Sequence, residues 1–198
     1  MDLTNKNFCS VPWLQIHTEP DGKIFPCCYY SHESQHQLGN WNKDEIIQTF
    51  HNEKWNNLRK EFLEGKRPDA CRRCWKEEDS GIISMRQRFN ERYSNFPDYN
   101  LKNWYNKFDD IKNCSSEDGS VSNIKLATID LIFNNLCNFK CRSCGPGCSS
   151  SWASDTIKLG GKISSGLLTN NKIPHMNADL EQLVEMTDPY TEVHFSGG

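Results

Sequence analysis

The sequence lacks the features that mark secreted and membrane proteins. No window approaches the roughly eighteen consecutive apolar residues of a membrane span. The N-terminal MDLTNKNFCSVPW has no basic stretch followed by an apolar run, as a signal peptide would have. An excess of positive charge is also lacking, since the net charge is −3, and this argues against a general binder of nucleic acid or membrane surfaces. We therefore expect a cytoplasmic protein with neither kind of partner.

Cysteine, in contrast, is abundant. The 198-residue chain contains ten cysteines, and in a compartment that keeps thiols reduced they favour metal or redox chemistry over disulfides. Most of them fall into two groups. The first group is Cys9, Cys27, Cys71 and Cys74, and the second is Cys137, Cys141, Cys144 and Cys148. The chain is long enough for one full domain or two small ones.

The first cysteine group lies on a predicted hairpin and a predicted turn. The runs WLQIH and KIF are joined by EPDG, a turn signal, so a β-hairpin is predicted with Cys9 before its first strand and Cys27 after its second. Residues 43–64 have helical periodicity and form one or two helices, ended by Gly65 and Pro68. The motif Cys71-Arg-Arg-Cys74 follows on a tight turn.

The next two segments are predicted to be a charged helix and a connector. Residues 76–95 are expected to be helical, with Arg86, Arg88 and Arg92 exposed. Residues 96–123 contain Pro97, Gly119 and many Ser, Asn and Asp residues, and we interpret them as a connector. Their aromatic residues could stack on bases, but given the negative net charge we favour packing against neighbouring elements.

The C-terminal part has the pattern of a βαβ unit. Residues 126–133 are a β-branched, nearly continuous apolar run, which is typical of a strand buried on both faces. The second cysteine group follows, then a helix from Ser150, a short helix opening at Asn177, and a second strand in TEVHFSGG. This order predicts a parallel sheet or barrel with its chemistry at the carboxyl ends of the strands.

The spacing of Cys137, Cys141 and Cys144 leaves the kind of metal site open. Structural zinc takes four closed ligands, and an ordinary [4Fe–4S] cluster also takes four cysteines, so Cys148 is a candidate fourth ligand for either. A triad alone would leave one iron of a four-iron cluster free to bind another molecule.

The pattern C-x-x-x-C-x-x-C directly after a strand, with a later strand ending in Ser-Gly-Gly, resembles the radical S-adenosylmethionine (SAM) superfamily. The resemblance implies that Cys137, Cys141 and Cys144 hold a [4Fe–4S] cluster whose open iron binds SAM. It also implies that Ser196, Gly197 and Gly198 form the strand end that contacts the SAM amino group. Reductive cleavage of SAM would then give a 5′-deoxyadenosyl radical that abstracts hydrogen from a substrate.

Residues 8–88 resemble the auxiliary-cluster domains called SPASM and its shorter form, Twitch. The resemblance rests on the spacing from Cys9 through Gly22 to Cys27 and on FCSVPW, DGKIFPCC, GNW, LRKEFLEG and CRRCWKEEDSGIISMR. It implies one auxiliary [4Fe–4S] cluster bound by Cys9, Cys27, Cys71 and Cys74, although the same thiolates could hold zinc. Cys28 is expected to point away, because adjacent residues of an extended strand face opposite sides.

Together these resemblances imply a two-part chain. We expect an α+β Twitch/SPASM-like cluster domain in residues 1–95 (a β-hairpin plus helices), a connector in 96–123, and the first βαβ unit of a truncated radical SAM partial barrel in 124–198. A barrel needs more such units, so we expect the chain to end inside the SAM motif and to be inactive alone. The implied partners are a peptide, protein or small-molecule substrate and an electron donor such as flavodoxin or ferredoxin. The alternatives are a non-catalytic zinc-binding scaffold and a ferredoxin-like electron carrier.

Overall fold

The computed structural model of the protein describes residues 3–98, 103–132, 134–163 and 180–196. The helices are α1 (Val11–Leu14), α2 (Ile46–Phe50), α3 (Glu53–Leu63), α4 (Arg72–Asp79), α5 (Met85–Ser94), α6 (Lys107–Cys114), α7 (Ala153–Lys158) and α8 (Leu180–Glu185). The strands are β1 (Gln15–Thr18), β2 (Lys23–Phe25), β3 (Gly39–Asn40), β4 (Phe96–Asp98), β5 (Asn103–Tyr105), β6 (Thr128–Ile132) and β7 (Glu192–Ser196). The chain is therefore a mixed α and β protein. Among the described residues, no helix is long and apolar enough to cross a membrane.

One five-stranded sheet joins the two ends of the chain. Its strand order is β3-β2-β1-β6-β7. Strands β1 and β2 form the predicted antiparallel hairpin, and β1 pairs in parallel with β6, which pairs in parallel with β7. Helices α7 and α8 lie between β6 and β7 in the chain, as the predicted βαβ unit requires. The sheet thus takes strands from both predicted end segments, and the boundaries at residues 95 and 124 stay a prediction.

The hairpin turn and the helices after it form for the local reasons that the sequence suggests. Gly22 has φ +86°, a left-handed conformation that suits glycine, and its N–H donates to the Glu19 carbonyl at 2.8 Å. The region 43–64 divides into α2 and α3, and the Asn52 side chain caps α3 by accepting from the Trp55 N–H. The apolar stripe of α3 faces inward, with Trp55 and Phe62 fully buried.

A core of aromatic side chains packs α3 against the N-terminal segment. Trp13, Phe50, Trp55 and Phe62 are all buried. The Trp55 indole N–H donates to the Pro12 carbonyl at 2.7 Å, which joins α3 to α1. This packing fixes the chain on both sides of Cys9 relative to the helix that precedes Cys71.

Two expectations for the middle of the chain were wrong or incomplete. Arg86 is not exposed but only 5% accessible, because it lies on the inner face of α5 and pairs with Glu78; Arg88 and Arg92 are exposed, as predicted. The expected connector contains β4, β5 and α6, and Ile111 of α6 is buried in the core. Buried Phe96 contacts the Tyr93 ring, so at this residue the aromatic packing that we favoured is confirmed.

Candidate functional site

Four cysteines from distant parts of the sequence line one cavity. Cys9 precedes α1 and Cys27 follows β2, while Cys71 comes directly before α4 and Cys74 lies in its first turn. All four line the same cavity. Its other walls are apolar or aromatic except for one arginine: Val11, Tyr29, Tyr30, Phe62, Met85, Phe89 and Arg86. The hairpin and the helices after it therefore bring together the four thiols of the first cysteine group.

Burial and mutual repulsion keep these four thiols neutral in the absence of a positive partner. Burial raises the pKa of every one of them, that of Cys27 to about 12. The negative charges of Cys27 and Cys74 raise the pKa of Cys9 further, and those of Cys9, Cys27 and Cys74 raise the pKa of Cys71. Four thiolates this close together need a cationic centre to compensate their charge, and a metal or an iron–sulfur cluster supplies one.

Backbone N–H groups are already oriented to receive negative sulfur. The backbone N–H groups of Val11 at Cys9, of Tyr29 and Tyr30 at Cys27, and of Arg86 at Cys74 each lower the pKa of the neighbouring cysteine against the larger effect of burial. Cys74 lies in the first turn of α4, and the Arg86 N–H belongs to the first turn of α5. The positive ends of two helices therefore face the cavity, which favours anionic ligands there.

All ten cysteines are free thiols. Within the described ranges, no three or more His, Cys, Asp or Glu side chains are grouped as ligands of a metal ion. A four-iron cluster is larger than an ion and separates its ligands more widely, so the shared cavity and its N–H donors are the features that fit such a group.

The second cysteine group lies in a loop that begins directly after β6. The Ser151 hydroxyl donates to the Cys137 carbonyl at 2.7 Å and the Ser150 hydroxyl at 3.4 Å, while the Ser149 hydroxyl donates to the Phe139 carbonyl at 2.7 Å. The Trp152 indole N–H donates to the Cys141 carbonyl at 3.2 Å. These bonds hold the loop against the start of the helix that follows it.

The thiols of this loop differ in their exposure. Cys137 and Cys144 are half-buried, whereas Cys141 and Cys148 are exposed. The convergence of Cys137, Cys141 and Cys144 on one cluster, without Cys148, stays a prediction. In the predicted SAM motif, Ser196 pairs with Ile132 at the ends of β7 and β6, while Gly197 and Gly198 lie outside the described residues. The loop therefore starts beside the strand end that the sequence analysis assigned to SAM.

Residues 9–75 match the family model of SPASM, an iron–sulfur cluster-binding domain. The matched segment begins at Cys9 and includes all four cysteines of the cavity, so the match indicates that this part of the chain binds an iron–sulfur cluster. We refer to residues 9–75 as the SPASM segment. Neither the curated proteins nor the solved structures contain a match to the chain.

A buried histidine joins the SPASM segment to the strand that precedes the cysteine loop. His17 on β1 is 1% exposed; its Nδ1 lies 2.9 Å from Asp130 Oδ2 on β6, and its Nε2 lies 3.0 Å from Glu19 Oε1. Burial alone would lower the pKa of His17, but the two carboxylates outweigh it and raise the pKa to about 9. At neutral pH an imidazolium therefore bridges two carboxylates.

This bridge and the Arg86–Glu78 pair were not predicted from the sequence. The bridge depends on the parallel register that places His17 opposite Asp130, and the alternation of polar and apolar residues in QIHT and TIDL was the available signal. For Arg86 the signal was Ser84-x-x-Gln87, because this capping box sets the start of α5 and hence its inner face.

Cys28 is exposed, whereas Cys27 beside it lines the cavity. Although the residue as a whole is exposed, its thiol is partly enclosed, and this partial burial is the main cause that raises the pKa of Cys28; the nearby Asp130 carboxylate raises it further. Cys28 thus faces the bridge formed by His17, Asp130 and Glu19, away from the lining of the SPASM cavity, in agreement with the alternation expected from the sequence.

Proposed function

We propose that this chain belongs to a radical SAM enzyme in which the SPASM segment carries an auxiliary cluster. The observation that carries the proposal is the pairing of Ile132 with Ser196, because it brings the start of the C-x-x-x-C-x-x-C loop beside Ser196 at the end of β7. The SPASM match in the same chain supports it, since SPASM domains occur in radical SAM enzymes.

In the SPASM segment, Cys9, Cys27, Cys71 and Cys74 would hold an auxiliary [4Fe–4S] cluster. Their cavity supplies four thiols, N–H donors to three of them and a largely apolar wall that excludes water. These are the features that protein environments use to bind such a group and to adjust its potential.

In the loop after β6, Cys137, Cys141 and Cys144 would hold the SAM-binding [4Fe–4S] cluster. When bound, such a cluster supplies the electron that cleaves SAM to methionine and a 5′-deoxyadenosyl radical, which abstracts hydrogen from the substrate. The serine hydroxyls on the Cys137 carbonyl and the indole of Trp152 on the Cys141 carbonyl hold the loop in shape. Ser196, Gly197 and Gly198 would bind the SAM amino group, because glycine permits close backbone approach.

The proposal also covers the domain organisation and the partners. We propose a cluster domain in residues 1–95, a connecting region in 96–123 and the start of the radical SAM partial barrel in 124–198. The proposed substrate is a peptide, a protein side chain or a small molecule. The proposed electron donor is of the flavodoxin or ferredoxin type, the proposed location is the cytoplasm, and no nucleic acid or membrane takes part.

Iron content tests the two sites separately. Chain reconstituted anaerobically with iron and sulfide should bind about eight irons and should be brown. Cys71→Ala should lower this to about four and should destabilise the SPASM segment, because binding energy here is folding energy. Cys141→Ala should also lower it to about four, whereas Cys148→Ala should leave it unchanged. Colourless protein that retains zinc after purification would instead favour the scaffold alternative.

SAM chemistry tests the enzyme proposal. SAM should change the electron paramagnetic resonance spectrum of the reduced loop cluster in wild type and Cys148→Ala. A version with the complete barrel should also release 5′-deoxyadenosine slowly without substrate. Cys141→Ala should abolish this release, while Cys71→Ala should retain part of it. A protein with both clusters that neither responds to SAM nor releases 5′-deoxyadenosine would be an electron carrier, contrary to the proposal.

A further inference from the structure

Arg86 brings a positive charge to the wall of the four-cysteine cavity. It lines the cavity although it is only 5% exposed. Its Nε and Nη2 donate to the two carboxylate oxygens of Glu78 at 2.9 and 2.6 Å, and its Nη1 donates to the Phe8 carbonyl. The guanidinium also lies 4.9 Å from the centre of the Trp75 ring. A buried bidentate pair of this kind keeps the charge in one fixed place.

The surrounding chain is arranged to hold this pair. The Ser84 hydroxyl donates to Glu78 Oε1 at 2.6 Å and caps α5 in a capping box with Gln87. The Asn90 side chain donates to the Phe8 carbonyl at 2.8 Å and accepts from the Ser10 N–H at 2.9 Å. Arg86 and Asn90 therefore bind the backbone on both sides of Cys9, while Ser84 orients Glu78.

The pair is oriented with its positive end toward the thiols. Arg86 lines the cavity, whereas Glu78 lies outside that lining. Because the guanidinium borders the space that the four thiols share and its carboxylate partner does not, a group bound there lies nearer to the positive end of the pair than to the negative end. The positive charge that such a group experiences therefore depends on how fully Glu78 compensates Arg86.

We propose that Arg86 sets the reduction potential of the auxiliary cluster, and that Glu78 limits how much of its charge the cluster experiences. The inference rests on the proposed function of the SPASM segment. Reduction adds one electron from a low-potential donor, such as dithionite or a reduced flavodoxin, and no bond or proton needs to move. Because the reduced cluster is more negative by one charge, a nearby cation stabilises it more than the oxidised cluster and raises the potential.

The test is a potentiometric titration of the auxiliary cluster followed by electron paramagnetic resonance. Replacing Cys137, Cys141 and Cys144 with Ala in every sample leaves the auxiliary cluster as the source of the signal. Arg86→Gln should lower the ratio of reduced to oxidised cluster at least tenfold at a fixed solution potential, which corresponds to a fall of about 59 mV for one electron. Glu78→Gln keeps the shape of the side chain and an oxygen that accepts from the Ser84 hydroxyl, but it removes the negative charge. It should therefore raise the ratio of reduced to oxidised cluster.

Two controls separate charge from structure. Arg86→Lys keeps the charge, so its ratio of reduced to oxidised cluster should lie nearer to the wild-type ratio than that of Arg86→Gln does. Arg88→Gln removes an exposed positive charge from the same helix and should leave the ratio within about twofold of wild type, because solvent screens it.

The outcomes are distinguishable from a failure of the proposed function. Shifts of the same sign in Arg86→Gln and Glu78→Gln, or a Glu78→Gln ratio unchanged from wild type, would overturn the inference. If Arg86→Gln does not retain its cluster, the Glu78→Gln titration still decides. If the wild-type SPASM segment binds zinc and no iron, the proposed function fails. If the site binds iron but its reduction potential is the same in wild type, Arg86→Gln and Glu78→Gln, only the role of Arg86 is refuted.

Discussion

The bridge formed by His17, Asp130 and Glu19 predicts a specific dependence of stability on pH. Replacing His17 with Gln removes the imidazolium and leaves a side chain of similar reach without charge. In the wild-type protein the cation lies between two carboxylate oxygens at 2.9 and 3.0 Å and is 1% exposed. Salt and solvent therefore screen it weakly, and its titration should be visible in the free energy of unfolding.

The sign and the size of this pH dependence follow from the pKa of His17 in the folded and the unfolded states. Folding raises the pKa of His17 from 6.5 to about 9. Below pH 6.5 both states are protonated and the stabilisation is fully present. Above it the unfolded chain loses the proton first, so the stabilisation declines as pH rises toward the folded pKa. At about 1.4 kcal/mol per pKa unit, the contribution of His17 should fall by about 3 kcal/mol between pH 6 and pH 9.

The assay is anaerobic urea unfolding of wild type and His17→Gln at half-unit steps across this range, followed by tryptophan fluorescence. The cysteines also titrate here, but subtracting the variant from the wild type cancels their contribution where the two sites act independently. Asp130→Asn should reduce the decline, since it removes one of the two carboxylates that raise the pKa of His17. A wild-type-minus-variant difference that is flat or rises from pH 6 to pH 9 would refute the argument.

Three further substitutions, one of them with a matched control, test the packing that supports the site. A Cβ added at Gly119 (φ +84°) would lie 2.1 Å from a backbone oxygen of α3, so Gly119→Ala should lower the free energy of unfolding in urea by more than about 2 kcal/mol. The control Gly81→Ala, at φ +78° in open space, should lower it by about 1 kcal/mol. Equal losses in the two variants would contradict the clash at Gly119. Trp55→Phe removes one of the hydrogen bonds to the Pro12 carbonyl and some buried volume. The free energy of unfolding, measured in urea, should fall by about 2 kcal/mol. Tyr93→Phe removes a buried hydroxyl that bonds to β1 and β6, with an expected loss of about 1 kcal/mol; a neutral result would show that this link contributes nothing.

Local patterns predicted the elements of the N-terminal fold, because short-range physics determines them. The Glu-Pro-Asp-Gly turn between β1 and β2 and the inward stripe of α3 follow from spacing and turn chemistry, whereas the gathering of the four N-terminal cysteines was implied by the resemblance to SPASM domains. Each of these features is present in the structure.

The buried charges could not be predicted in the same way. An arginine on a charged helix is usually exposed. The Ser84-x-x-Gln87 spacing sets the start of α5, but it does not identify Glu78, across the turn between α4 and α5, as the partner of Arg86. The pairing of His17 with Asp130 joins residues 113 positions apart, so it depends on which strands become neighbours in the sheet. Helix α6 was missed because its surroundings are rich in residues that favour turns.

The pairing of β1 with β6 also has a consequence for the order in which the protein folds. The ribosome completes β1 and the four N-terminal thiols long before it makes β6, since His17 and Asp130 are 113 positions apart. Until β6 emerges, one edge of β1 has no strand beside it, and closing so long a loop is slow. The aromatic core and the thiol cavity depend on segments that are synthesised earlier, so loading of the cluster can precede completion of the sheet. A nascent chain that loads its cluster first would then present β1 as a rigid template on which β6 docks.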